Sequence, residues 1–372
     1  MCLDIRTFGV TKEGTELQKK IGIATLDDAI AATKYNNDYF INNTAGKCRF
    51  LNVLQGRDHA ESDRWYNEMK HFADPNYHAN HFRGWAMGGN NKADIYLVIK
   101  RLIDIVHDGL LQEGKQDWIH YLGLSQLEWA AMFTTLQRAL RKYYNPKVCI
   151  SFDCASPFLA AAKGLAYYET TLNHNEKWTY RMAKTIEDKA KAGDPRKLSK
   201  ALIDDGIYPV FSDSPITDSL TVGDLCYRGQ GFLGQHGKET KTSWDTLSYT
   251  LLQSHNTWCH IDAIQEALRR YGNGTLTAKS TSSFGNGLFE TEVNTNSIPA
   301  ALITDKGEFA DIVENIFSQK TRQSAMTMLE SYKSVLYKIR GQHNMNTKHK
   351  VTEDHWNSLI DEDLYDEDII DV

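Results

Sequence analysis

Four apolar runs in the first half of the chain end in small or polar residues. The four run ends are Gln55-Gly56, Gly88-Gly89, Leu122-Gly123 and Asp153. A carboxylate in this position can act as a nucleophile, and a side-chain amide can donate to a carbonyl oxygen. Paired glycines let a flat ligand approach the backbone amides. The plainer interpretation makes Asp153 a helix N-cap and the glycine pairs ordinary turns.

Strands and helices alternate around these run ends, and their spacing predicts a parallel sheet. The predicted strands are Cys48–Leu54, Gly84–Met87, Trp118–Leu122 and Val148–Phe152, with the end of another at Met1–Ile5. The predicted helices are Leu26–Tyr39, Ala60–Phe72, Lys92–Leu111 and Gln126–Tyr144. Functional loops of such a sheet lie at the carboxyl ends of the strands. A barrel and a doubly wound sheet both satisfy this pattern.

The strand–helix rhythm stops near residue 155. Residues 156–243 form an insertion without that rhythm, 244–271 one amphipathic helix, and 272–350 a mainly helical extension. The insertion contains a basic segment, Lys177–Lys200, which is either a solvated helix face or a surface that contacts phosphates. Residues 351–372 form a tail with nine acidic residues and no Lys or Arg.

Composition excludes several classes of protein. With 41% hydrophobic residues and only 7 Pro, the chain is neither mainly disordered nor fibrous. Its mean hydropathy is −0.49 and no long apolar run occurs, so we expect no membrane span. Six scattered cysteines and the absence of a secretory pattern predict reduced thiols and a cytoplasmic location. The net charge of −6 comes from the tail, because the other residues hold 42 basic and 39 acidic side chains.

Taken in order, these segments resemble the tRNA-guanine transglycosylase family. The matching segments are Met1-Cys2-Leu3-Asp4, Val53-Leu54-Gln55-Gly56, Trp85-Ala86-Met87-Gly88-Gly89, Tyr121-Leu122-Gly123 and Phe152-Asp153-Cys154. The resemblance covers residues 1–155 and resumes at 254–271. It implies a (β/α)8 TIM-barrel fold of the α/β class.

The resemblance also implies a role for each matched residue. Asp153 would attack C1′ of a guanosine nucleotide and expel guanine, and a 7-deazaguanine would then replace it. Asp4 would accept hydrogen bonds from the purine N–H groups, and Gln55 would donate to the purine carbonyl. The amides of Gly88 and Gly89 would complete the base pocket, and Leu122 would pack on the ring.

The zinc site of the family is degraded in this sequence. His255 and Cys226 stand at positions that match two of its ligands, but Asp224 and Gly229 occupy the other two. Gly229 has no side chain, and a structural zinc site needs four ligands. We therefore expect no cofactor and no bound zinc, with Cys226 and His255 as weak candidates only.

The sequence begins at what matches the fourth strand of the family's barrel. About five of the eight strands would be present, and the family's general acid/base aspartate and base-stacking aromatic would be absent. We expect unpaired backbone groups at Met1–Asp4 and Val148–Phe152, where the missing strands would pair. A second polypeptide could supply them, the start of the sequence could be wrong, or the chain could be an inactive remnant.

The resemblance predicts a pentosyltransferase that exchanges guanine for a 7-deazaguanine in a nucleic acid. The degraded zinc motif and the extension favour the phage-type enzymes that act on DNA. Transfer RNA is the alternative substrate. A non-catalytic nucleic-acid-binding subunit of such an enzyme is the alternative from another class, and the presence of Asp153 and Gln55 favours catalysis over it.

Overall fold

Four short parallel strands form the largest sheet of the computed structural model: β1 (Asn52–Leu54), β2 (Gly84–Met87), β3 (Trp118–Tyr121) and β4 (Cys149–Phe152). They are hydrogen-bonded in chain order, with Leu54 opposite Met87, Met87 opposite Tyr121 and Tyr121 opposite Phe152. Each is one of the strands predicted from the sequence, apart from one or a few residues at the ends.

The structure describes residues 10, 12–162, 164–172, 178–184, 193–198, 214–225, 246–271, 303–304, 307–339 and 369–370. Asp4, Cys226, residues 177, 185–192 and 199–200 of the basic segment, and nearly all of the acidic tail lie outside these residues. The predictions made for them stay predictions.

Helices are found at all four predicted places, but the one predicted at Lys92–Leu111 is divided at Asp94 and ends at His107, and the helix at Glu16–Ile21 was not predicted. They are α1 (Glu16–Ile21), α2 (Leu26–Asn43), α3 (His59–Met69), α4 (Asn90–Ala93), α5 (Ile95–His107) and α6 (Leu127–Tyr143). Side-chain caps fix the starts of α2, α3 and α5, since Thr25, Asp58 and Asp94 each accept a hydrogen bond from an amide in the first turn. Helix α5 is buried along most of its length, so the sheet and its helices share one apolar core.

The chain divides into two compact units. The first comprises Met1–Leu124, Met132–Asp153 and Ala301–Asn357, and the second comprises Ser125–Ala131, Cys154–Ala300 and Ser358–Val372. The second unit contains helices α7 (Ser156–Ala162), α8 (Val222–Leu225) and α9 (Thr246–Tyr271), and strands β5 (Leu165–Thr171) and β6 (Thr179–Lys184). Strand β6 also pairs with the short strand at Ile369–Ile370.

Strands β5 and β6 form an antiparallel pair that the sequence analysis did not predict. Tyr180 and Met182 of β6 are buried, whereas Arg181 between them pairs with Glu169 of β5. This alternation is that of a half-buried strand. The interpretation of the basic segment as a helix face is therefore wrong for Thr179–Lys184.

The C-terminal extension contributes helices α10 (Phe309–Phe317) and α11 (Arg322–Ile339) to the first unit, where α11 packs against α5. Tyr337 donates a hydrogen bond to Asp94 (3.2 Å), and Tyr96 donates one to Glu330 (2.8 Å). Glu314 of α10 accepts hydrogen bonds from Lys142 and Tyr143 of α6. Residues far apart in sequence therefore complete the first unit.

The observed class is α/β, with a four-stranded parallel sheet and helices. Within the described residues β1 and β4 each have one strand neighbour, and closure of a barrel stays a prediction. None of the described helices combines the length and apolar character that a membrane crossing needs.

Candidate functional site

The carboxyl ends of the four strands bring the predicted residues onto one row. Gln55, Gly88, Leu122 and Asp153 each follow the last residue of a strand by one position. The strand register continues through that position, since Gly88 N donates to Leu54 O (2.8 Å) and Leu122 N to Met87 O (3.0 Å). Neighbouring parallel strands lie about 4.8 Å apart. The four residues therefore stand side by side across the edge of the sheet.

Side-chain alternation decides which face of the sheet this row uses. Tyr121 and Phe152, one residue before the row, pack on Phe133 of α6 with ring centroids 4.1 and 5.7 Å away. Successive side chains of a strand point to opposite faces. Leu122 and Asp153 consequently point away from α6, onto the same face as His120 and Ser151.

Gln55 is buried and lies directly against Gly88. A Cβ added to Gly88 would stand 2.6 Å from Gln55 Nε2, so glycine at 88 makes room for this amide. The Gly88 N–H is already used in the sheet. Gly89, with φ of 54°, approaches the backbone of Gly56 so closely that an added Cβ would lie 2.3 Å from its carbonyl oxygen. Two backbone amides were assigned to the base pocket. Of these, the Gly88 N–H is engaged in the sheet and the Gly89 N–H is not.

A buried network braces the turn that follows β2. Asn91 Nδ2 donates to the carbonyl oxygen of Gln55 (3.1 Å), and Arg101 Nε donates to Asn91 Oδ1 (3.1 Å). Arg101 is 1% exposed and also pairs with Asp63 and Asp104. Because Arg101 donates to Asn91 and Asn91 donates to the Gln55 carbonyl oxygen, the network holds the backbone of Gln55 in place.

Asp153 is held by two donors on a single oxygen. Gly123 N donates to Asp153 Oδ1 (2.9 Å), and His120 Nε2 lies 3.2 Å from the same atom. The hydrogen bond from His120 holds the pKa of Asp153 below its ordinary value against the effect of burial, helped by the Gly123 amide and the charge of Lys92. The side chain is 61% exposed. Asp153 is thus an ionised carboxylate that a ligand can reach.

The turn at Gly123 is itself anchored. Lys92 Nζ donates to the Gly123 carbonyl oxygen (2.9 Å), and Leu124 N donates to the carbonyl oxygen of Asp153 (2.7 Å). Gly123 has φ of 61°, a conformation that favours glycine. These bonds orient the Gly123 amide toward the Asp153 carboxylate.

Three of these polar residues were not identified from the sequence, namely His120, Ser151 and Lys92. His120 and Ser151 each precede a predicted site residue by two positions, so strand alternation alone would have placed them on the same face. No local pattern marks Lys92, whose approach to Gly123 depends on how the turn after β2 folds.

His255, the weak zinc candidate, is engaged in the second unit by other partners. Its Nε2 lies 2.7 Å from the Tyr167 carbonyl oxygen, and its Nδ1 lies 2.7 Å from Ser214 Oγ. Both ring nitrogens are therefore used, and burial lowers the pKa of His255 to about 4. Among the described side chains no group of three or more His, Cys, Asp or Glu could hold a metal. The described residues around His255 do not form a zinc site, and Cys226 lies outside the described residues, so the absence of zinc stays a prediction.

The site thus combines an accessible, ionised carboxylate with a buried amide side chain and two closely packed glycines. An ionised carboxylate of this kind can attack an electrophilic carbon. No protein-family model matches the sequence, and no curated protein matches it either.

Proposed function

We propose that the chain is a guanine transglycosylase, which replaces guanine in DNA with a 7-deazaguanine. The observation that carries this proposal is the row of Gln55, Gly88, Leu122 and Asp153 at the carboxyl end of one parallel sheet. The four residues come from four separate segments of the chain, and each has the type that its role requires. If Asp153 served only as a helix N-cap, it would not need Gln55, Gly88 and Leu122 beside it.

The proposed reaction has two displacements at the same carbon. Asp153 attacks C1′ of the nucleotide, the C1′–N9 bond breaks, and its electron pair leaves with guanine, which takes up a proton. The incoming 7-deazaguanine then loses a proton and attacks C1′, and the carboxylate is released. Covalent catalysis of this kind divides one difficult step into two easier ones.

The base would lie over the row beside Asp153. Gln55 donates to the purine carbonyl, the Gly89 amide adds a second donor, and Leu122 packs on the ring. Asp4 is proposed to accept the purine N–H groups. A ring that lacks the matching donors or acceptors leaves a buried group unpaired, which costs about 1–3 kcal/mol and gives discrimination among purines.

Trapping of the covalent intermediate tests this proposal. The protein is incubated with guanine-containing DNA, or with tRNA, and denatured, and adducts are measured by mass. We expect an adduct with the wild type and none with Asp153→Asn. Asp311→Asn, which changes an exposed carboxylate on α10, is the matched control and should keep the adduct. Absence of any adduct and of base exchange with both nucleic acids, from the chain alone and from the chain with a polypeptide that supplies the missing barrel strands, would refute the proposal. An adduct with tRNA and none with DNA would reassign the substrate.

A second polypeptide that adds barrel strands is part of the proposal. The outer edge of β4 was expected to present unpaired backbone groups, and this is only partly correct. Arg141 Nε donates to the Val148 carbonyl oxygen (2.8 Å), and Gln137 Oε1 accepts from Ile150 N (2.6 Å). An added strand would have to displace these two side chains of α6. Light scattering and exchange assays on the chain alone decide the matter, since a fully active monomer needs no such partner.

A further inference from the structure

A chain of polar side chains runs along the exposed face of the sheet and ends at Asp153. Trp118 Nε1 donates to Ser151 Oγ (2.6 Å), and Ser151 Oγ lies 2.8 Å from His120 Nδ1. His120 Nε2 lies 3.2 Å from Asp153 Oδ1. All four residues belong to β3, β4 or the position after β4, so the rigid sheet sets these distances.

Donor and acceptor capacity fixes the proton positions along this chain. The indole N–H only donates, so Ser151 Oγ accepts from it and its hydroxyl can donate a hydrogen bond to His120 Nδ1. A neutral His120 then carries its proton on Nε2, which faces Asp153. A charged His120 donates from both nitrogens, and Ser151 accepts from two sides. In each case an N–H points at Asp153 Oδ1, because the remaining tautomer would direct a lone pair at a carboxylate.

The two oxygens of Asp153 are therefore not equivalent. Oδ1 accepts from the Gly123 amide and from His120, whereas no described residue donates to Oδ2. A carboxylate with one oxygen fixed can rotate little about its last torsion. The free oxygen then has one defined direction of approach to a substrate.

We propose that His120 is a positioning residue that, with Gly123, fixes Asp153 Oδ1 so that Oδ2 forms the bond to C1′. Ser151 and Trp118 hold the His120 ring for this task. In the covalent intermediate Oδ2 is the ester oxygen and Oδ1 the carbonyl oxygen, which keeps both donors. When the Oδ2–C1′ bond breaks, its electron pair returns to the carboxylate, and the same donors stabilise the charge that develops on Oδ1. This inference rests on the proposed function, because the bond that it describes forms during base exchange.

A test without substrate separates this inference from the proposed function. Protein labelled with 13Cγ-aspartate is titrated by NMR, and the Asp153 resonance is assigned by its loss in Asp153→Asn. The charged groups that act on Asp153 are His120 from β3 and Lys92 from α4. We expect His120→Ala to raise the pKa of Asp153 toward 3.8 and His120→Gln, which keeps a donor, to raise it less. An identical titration in all three proteins would overturn the inference.

Kinetics of base exchange give the second readout. We expect His120→Ala to lower kcat by about 10- to 100-fold, the effect of losing a hydrogen bond to a charged acceptor. The KM for the nucleic acid should change by less than about threefold, because His120 contacts Asp153 and its loss leaves binding of the nucleic acid in the ground state unchanged. Ser151→Ala should have a smaller effect and Trp118→Phe the smallest, in the order of distance from Asp153.

Rescue by the conservative variant distinguishes positioning from packing. His120→Gln should recover most of the kcat lost in His120→Ala at the same thermal stability. Equal losses of kcat in both variants together with a lower Tm would show a structural role and overturn the inference. Wild-type protein that exchanges no base, both alone and together with a polypeptide that supplies the missing barrel strands, would refute the proposed function, and the NMR titration would still decide whether His120 holds Asp153.

Discussion

Replacement of Gly88 by alanine should damage activity far more than stability. The added Cβ would lie 2.6 Å from Gln55 Nε2 and 2.9 Å from Gln55 Cδ and Oε1. To regain an ordinary contact of 3.4 Å the amide must retreat by about 0.8 Å. These are the far atoms of a flexible side chain, so the side chain, and not the sheet, takes up the change.

The expected magnitudes follow from this displacement. Overpacking costs about 1–3 kcal/mol, and the restricted unfolded chain of an alanine variant returns about 0.4–1 kcal/mol. We expect a net loss of about 1 kcal/mol in the free energy of unfolding, at the low end because Gln55 can move. A displacement of about 1 Å in a positioning group costs up to roughly 100-fold in rate, so exchange should fall by about 10- to 100-fold.

Gly89→Ala is the matched comparison, one residue further along. Its Cβ would lie 2.3 Å from the Gly56 carbonyl oxygen, and its φ of 54° adds strain. The conformation costs about 1–2 kcal/mol and the backbone cannot withdraw, so the total loss should be at least about 3 kcal/mol.

Urea unfolding followed by the fluorescence of the 8 tryptophans measures stability, and incorporation of labelled guanine measures exchange. The reasoning is refuted if Gly88→Ala keeps full activity, since Gln55 would then be dispensable. Equal destabilisation by the two variants would also contradict it.

Four further outcomes are expected. Asp153→Asn should abolish exchange with little change in the free energy of unfolding at pH 7, because the side chain is largely exposed. Since the pKa of Asp153 is lowered by folding, the small contribution of its carboxylate to stability is present above pH 3.8 and lost as the pH falls through the folded value. The small difference between the thermal melts of wild type and Asp153→Asn should therefore vanish at that pH. Arg101→Met should cost about 1–3 kcal/mol in urea unfolding, because the buried Asn91 loses its donor while Asp63 and Asp104 keep Lys100. Metal analysis should find well under one zinc per chain, and stoichiometric zinc would mean that Cys226 and His255 found further ligands.

The parallel sheet was predictable because its strands and helices carry clear periodicities. Strands that are joined by helices pair in parallel. In a parallel sheet the residues that end each strand lie at the same edge. Gln55, Gly88, Leu122 and Asp153 were identified for this reason, although they are spread over a hundred residues. The bounds of α6 agreed with the prediction to within one residue at each end, whereas the helix predicted at Lys92–Leu111 is broken at Asp94, which caps α5.

Contacts that depend on exact packing were not predictable. The approach of Lys92 to Gly123 and the burial of Arg101 beside Asn91 are set by the turn after β2, which has no periodic pattern. The antiparallel pair β5–β6 was missed because the charge of Lys177–Lys200 obscured the alternation of Tyr180 and Met182. Tertiary contacts decide such segments more than local propensity does.

The way α11 completes the first unit has a consequence for biosynthesis. At about 5–20 residues per second, a ribosome needs roughly ten to forty seconds to travel from Asp153 to Ile339. During that time the sheet has been made but the helix that covers α5 has not. The nascent chain therefore presents an apolar helix surface that α11 covers later. Stalling or truncation in this interval would leave an aggregation-prone intermediate. Chaperone binding to the nascent chain should be greatest before residue 322 emerges from the ribosome.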